Sequence, residues 1–193
     1  MAVGAAQAEE DRISSPATNL QRFQSLSEEV ADTLCTFIPE GDSVTVVLEP
    51  KESIWFVQGG ILRTISGRGR FPTQSLASPF EISLGVLKFE VKYADVRRSG
   101  FLGPKIVDRT VSTRFAATVI NKMEGTILFT NELQRIVKDT VEFSEISQLE
   151  NSGIAATHGT LPGEGFFSTL IEPIVTIGAL AVGVYLLFHV RTQ

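Results

Sequence analysis

The hydrophobic period changes along the chain and divides it. Pro16-Ala-Thr-Asn19 can start a helix, and Leu20, Phe23, Leu26, Val30, Leu34 and Phe37 follow at spacings of three and four, one apolar stripe. Pro39-Glu-Gly-Asp42 ends that helix as a turn. Ser43-Val-Thr-Val-Val-Leu48 is a β-branched run of strand length, closed by Glu49-Pro50-Lys51. From Ser53 to Arg68 the helical spacing returns through Ile54, Val57, Ile61, Leu62 and Ile65, weakened by Gly59-Gly60 and terminated by Gly67-Arg-Gly-Arg70. Phe71-Pro72 can begin only a short or edge strand, because proline has no amide proton for a ladder.

From Val86 the period becomes two. Leu87, Phe89, Val91 and Tyr93 alternate with Lys88, Glu90 and Lys92, the pattern of a half-buried strand with one wet face. After a loop over Arg97-Arg-Ser-Gly-Phe-Leu-Gly-Pro104, the odd positions Val107, Arg109, Val111, Thr113, Phe115, Ala117 and Val119 alternate with polar neighbours. Asn121-Lys-Met-Glu-Gly125 turns the chain into Thr126-Ile-Leu-Phe129, a strand that can run to Val137, and Thr140 to Leu149 reads as a short helix. Strands in succession on short turns predict an antiparallel meander. The expectation is an α+β domain over residues 19–149 behind a disordered stretch 1–18. In it, two N-terminal amphipathic helices pack on a mixed sheet that contains the meander.

Past residue 149 the composition shifts. Residues 150–165, rich in Gly, Ala and Thr, read as a flexible linker reaching roughly 20–24 Å. Residues 166–190 read as one C-terminal transmembrane helix, followed by a tail, 191–193. The run from Ile174 to Phe188 holds no charge, and with His189 and Val190 it covers about 26 Å as a helix, the lower limit for a bilayer core. Its lipid-facing residues would include Ile174, Val175, Ile177, Leu180, Val184, Leu186, Leu187 and Phe188. Ala179 and Gly183 lie one turn apart and allow close helix approach, and with it a homo-oligomer. A buried core helix is the competing reading of so short a run.

Arg191 is the only Lys or Arg near either end of this run, and the flank from Glu150 to Glu172 holds acids and no Lys or Arg. The positive-inside rule then puts the folded domain outside the cytoplasm. Ala6-Gln7-Ala8 before Glu9-Glu10-Asp11 reads like the end of a secretory signal peptide and its mature start. The alternative is an Ala-rich start on a cytoplasmic tail-anchored protein.

Composition narrows the chemistry. Of 193 residues, 17 are Lys or Arg and 22 Asp or Glu, a net charge of -5, the wrong sign for affinity built on phosphate neutralisation, so nucleic acid is not expected as a partner. One Cys rules out a disulfide framework, and Cys35 sits between stripe residues as a small hydrophobe. His158 and His189 are separated in role and make no metal pair; no metal, cofactor or catalytic residue is expected. No G-x-S-x-G, H-E-x-x-H or P-loop occurs. Asp108, Arg109, Lys138 and Asp139 read as the wet side or end of strands. Arg63, Arg68 and Arg70 at one helix end, with Arg97 and Arg98 in a loop, form a candidate basic contact surface for anionic headgroups or an acidic partner. Its alternative is a capped helix end and a solvated loop.

The order helix, Gly-Asp-Ser-Val-Thr-Val-Val strand, helix ending in Arg68-Gly69, then a meander containing Glu124-Gly-Thr-Ile-Leu-Phe129, resembles the α/β domains of bacterial envelope lipoproteins. These are the flagellar outer-membrane, curli-secretion and penicillin-binding-protein-activator types. The resemblance covers residues 19 to 137, lacks their N-terminal lipidated Cys, and implies a periplasmic, non-enzymatic domain that binds proteins or assembles into an envelope complex. The expected function is therefore a membrane-anchored, single-pass binding or assembly module of the cell envelope, with the bilayer and envelope proteins as partners. A membrane-tethered enzyme whose site forms only in three dimensions and a tail-anchored cytoplasmic structural protein are the alternatives.

Overall fold

The computed structural model describes residues 15–100 and 103–161. Helix α1 (Asn19–Cys35) starts at a capping box: the Thr18 hydroxyl accepts from the Gln21 amide while the Gln21 side chain accepts from the Thr18 amide. Its stripe residues Phe23, Leu26, Val30 and Leu34 are buried. Strand β1 (Ser43–Glu49) leads into α2 (Lys51–Gly67), which returns over the sheet to β2 (Phe71–Thr73), parallel to β1. Of the glycine pair, Gly60 faces α1, where an added Cβ would stand 2.6 Å from the Glu28 carboxylate, while one on Gly59 would meet nothing closer than Arg63 Nη1 at 4.0 Å.

Three long strands complete the sheet: β3 (Phe80–Arg98), β4 (Lys105–Asn121) and β5 (Thr126–Glu142). The order is β2-β1-β3-β4-β5, with β3 parallel to β1 and β4 antiparallel to both β3 and β5. The β4–β5 turn is fixed by Asn121, whose side-chain oxygen accepts from the Met123 and Glu124 amides, and by Gly125 at φ +68. Both long helices cover one face, where Ile82, Leu84, Val91, Val107, Val111, Phe115 and Val119 join their stripes in a single core. Phe23, Phe56, Phe89 and Phe115 form an aromatic chain through it. The other face carries Lys88, Glu90, Lys92, Arg114 and Thr118 to solvent.

Several expectations change. The alternation expected to bury Leu87 fails because the register shifts between Val86 and Lys88; Leu87 sits in the resulting bulge and is exposed. Strand β5 runs past Val137 to Glu142, since Val141 continues the inward set by pairing with Val107. The helix expected from Thr140 shrinks to a 3-10 turn (Phe143–Glu145) and the four-residue α3 (Ile146–Leu149). Residues 150–161, expected in a flexible linker, fold back through a 3-10 turn (Ala155–Thr157). Thr160 there bonds main chain to main chain with Val91 and Tyr93, as a parallel bridge beside Lys92.

The expected fold class is corrected in its membrane part. The described residues hold three α-helices and a five-stranded mixed sheet, and none of these helices is long and apolar enough to cross a membrane. The run read as an anchor, from Ile174, Val175, Ile177, Ala179 and Leu180 to Gly183, Val184, Leu186, Leu187 and Phe188, lies outside the described residues, as do Ala6 to Asp11.

Candidate functional site: an exposed tryptophan between two open sheet edges

Sheet pairing stops early on one side of β1, and on the other β3 runs on past the end of β1. Strand β2 pairs only with Ser43 to Thr45, so among the described residues no strand flanks Val46 to Glu49 on that side. Strand β1 in turn pairs with β3 only as far as Gly85, and no strand among the described residues pairs β3 on that side again before the bridge at Lys92. Each gap opens a groove. The first, about 690 Å³, is lined by Val46 to Glu49, Gln58, Leu62 and Pro72; the second, about 510 Å³, by Val86 to Phe89 and Gly153 to Ala156.

Trp55 lines both grooves. It projects from the first turns of α2 and is 58% exposed, held edge-on against Phe56, with ring centroids 5.9 Å apart, at the end of the aromatic chain. A tryptophan costs little entropy to immobilise, and unpaired strand edges on either side offer main-chain donors and acceptors to an extended segment. The sequence holds a signal for it: Trp55 falls off the Ile54, Val57, Ile61 stripe, where a large aromatic has no core to enter.

The charged residues expected on wet strand faces divide. Asp108 is solvent-facing and takes both Arg97 guanidinium nitrogens at 2.8 and 2.9 Å, with Thr140 donating to it as well. Those bonds hold its pKa below the usual carboxylate range, the Arg97 contact first. Arg109 does the opposite: its side chain is fully buried, because the odd positions of β4 from Val107 to Val119 face the helices. Its Nε and Nη2 donate to the two Asp139 oxygens at 2.8 and 2.6 Å, and Nη1 donates to the Ala17 carbonyl and Asn19 Oδ1, both at 2.9 Å. Arg22 adds a second cation to Asp139 at 2.8 Å.

Burial is the largest single influence on Asp139 and disfavours its charge, but the bonds and charges of Arg109 and then Arg22 outweigh it and lower its pKa. Asn19 Nδ2 donates to the Tyr93 hydroxyl at 2.9 Å and the Thr157 carbonyl at 2.8 Å, and burial pushes the Tyr93 phenol up. Acid and base are thus committed to each other, and the cluster joins the start of α1, three strands and the segment 150–161.

The five arginines of the candidate basic surface do not come together. Arg63 approaches Glu28 at 3.9 Å, Arg68 pairs with Asp32, and Arg70 is buried, donating to the Ile38 carbonyl through Nε and Nη2 at 3.0 and 2.6 Å. All three gather where α1 and α2 end. Arg97 and Arg98 stand at the far end of β3, whose 19 residues span about 60 Å. Cys35 is buried, and burial raises its pKa, so it stays a thiol. No cluster of three metal-ligating side chains occurs among the described residues.

No family model matches this chain, and no curated protein matches it. Among solved structures it is similar to lipoprotein GNA1162 from Neisseria meningitidis, at 11% identity and a TM-score of 0.35, covering 73% of this chain and 99% of that one. It is also similar to a minor lipoprotein from Acinetobacter baumannii, at 12% identity and a TM-score of 0.35, covering 61% of this chain and 82% of that one. At such scores the likeness assigns neither a family nor an activity.

Proposed function

We propose that this domain is a non-enzymatic protein-binding or assembly module of the bacterial cell envelope. The observation that carries the binding role is Trp55, exposed between two grooves whose strand edges lack partners. Main-chain pairing on such an edge supplies affinity, and the indole supplies an anchor beside it. The envelope placement rests on the sequence resemblance over residues 19 to 137. The test is a photoreactive amino acid at Trp55, with a control at Met123, which is 79% exposed in the β4–β5 turn. In intact cells, position 55 is expected to give discrete adducts with envelope proteins that position 123 lacks. Identical adducts from both positions, or adducts only with cytoplasmic proteins, overturn the proposal.

A further inference from the structure

The longest uncovered feature lies at the opposite side of the sheet. Strand β5 has 17 residues and pairs only with β4, and nothing among the described residues pairs its other edge. Two local bonds show which groups point outward: the Glu132 amide donates to its neighbour's Asn131 Oδ1 at 2.8 Å, and Arg135 Nη1 donates to the Gln134 carbonyl at 3.0 Å. Main-chain groups alternate sides along a strand, so Glu132, Gln134, Ile136 and Lys138 turn theirs away from β4. Ile136 is also 51% exposed, on the polar face of the sheet.

We propose that this edge pairs antiparallel with the same edge of a second copy of the chain, about a two-fold axis at Arg135. An antiparallel pair must set outward-pointing residues opposite one another, which restricts the registers. With the axis at Arg135, Glu132 faces the second copy's Lys138 twice over, Gln134 faces Ile136, and nearly the whole strand overlaps. With the axis at 132 or 138, Glu132 or Lys138 faces itself; with the axis at 137, Glu132 faces Glu142. Like charges directly opposite are destabilising, and unlike charges favourable. The two Arg135 side chains do meet at the axis, on the helix side, but each brings Glu29 of α1 at 3.8 Å.

Helix spacing agrees. Helix α1 lies over β4 and β5, contacting Arg109 from Asn19, Asp139 from Arg22, Arg135 from Glu29 and Thr33, and Phe129 from Phe37, past the helix end. With strands about 4.8 Å apart, a helix centred over the β4–β5 gap meets its symmetry copy at about 10 Å, close to helix packing distance. Asn131 Oδ1 and Arg135 Nη1, which blunt the edge, must release the Glu132 amide and the Gln134 carbonyl, a local rearrangement that leaves Arg135 Nε beside Glu29. This surface is separate from the Trp55 grooves.

The experiment measures self-association of the full chain by analytical ultracentrifugation, with circular dichroism confirming the fold of each variant. Glu132→Lys and Lys138→Glu are each expected to weaken dimerisation about tenfold or more. Mixing the two variants restores it, because both contacts are then complementary again, and so does the double variant. Copies carrying Gln134→Cys should form a disulfide with copies carrying Ile136→Cys, while neither variant cross-links alone. Trp55→Ala leaves association unchanged. A wild-type monomer, single variants that associate as wild type, or variants that mixing does not rescue overturn the proposal.

Discussion

Arg109 is held by four hydrogen bonds in a fully buried position, so its removal leaves the half-buried Asp139 carboxylate with Arg22 alone and takes the donor from the Ala17 carbonyl and Asn19 Oδ1. Arg109→Leu is expected to cost about 3–5 kcal/mol in urea unfolding, and combining it with Asp139→Leu should recover much of that, since the pair is costly to bury. Acid should act on the same group. The folded pKa of Asp139 is lowered, so its contribution is complete above the ordinary aspartate value and is lost as pH falls from there through the folded value. Asp139→Asn should therefore flatten the acid limb of the stability–pH curve and lower stability at neutral pH. Thr113 makes the opposite case: its hydroxyl is buried without a partner. Thr113→Val is expected to raise stability by about 1 kcal/mol, measured by the same unfolding.

At the scale of elements, Gly159 is the smallest residue with the largest expected effect. A Cβ there would lie 2.3 Å from a Tyr93 ring carbon and 2.9 Å from Val91. Gly159→Ala should lift residues 150–161 off β3, seen as new protease cleavage within that stretch while the sheet stays folded. Much of this level was legible in the sequence. The α1 stripe and the unbroken alternation from Val107 to Val119 gave elements close to those found, because each buries one face against a large core. What failed lacks periodicity. The bulge that expels Leu87 shifts the register by one residue, and the docking of residues 150–161 depends on a distant edge and one glycine. Arg109 was misread because alternation marks a face, but not that a buried guanidinium would find Asp139 on the next strand.

At the scale of the molecule, little of the candidate site was legible. Trp55 stands off the apolar stripe of α2 in the sequence, but nothing there shows that β2 and β1 stop short beside it, and the five arginines look like one patch until β3 separates them. The buried cluster also has a mechanical meaning. Arg109 holds the Ala17 carbonyl, Asn19 holds Tyr93 and the Thr157 carbonyl, and Thr160 is bonded to Tyr93 and Val91. The first and last described segments are therefore fastened at one place on the sheet. A load pulling Ala17 away from Thr160 would travel through a few side-chain bonds and the two Thr160 main-chain bonds and leave most of the long strands slack. In an optical trap with handles at those residues, a small low-force rip should precede the main one, and Asn19→Ala should remove it. The domain would then behave as a buckled loop, able to be unfastened under tension without being unravelled.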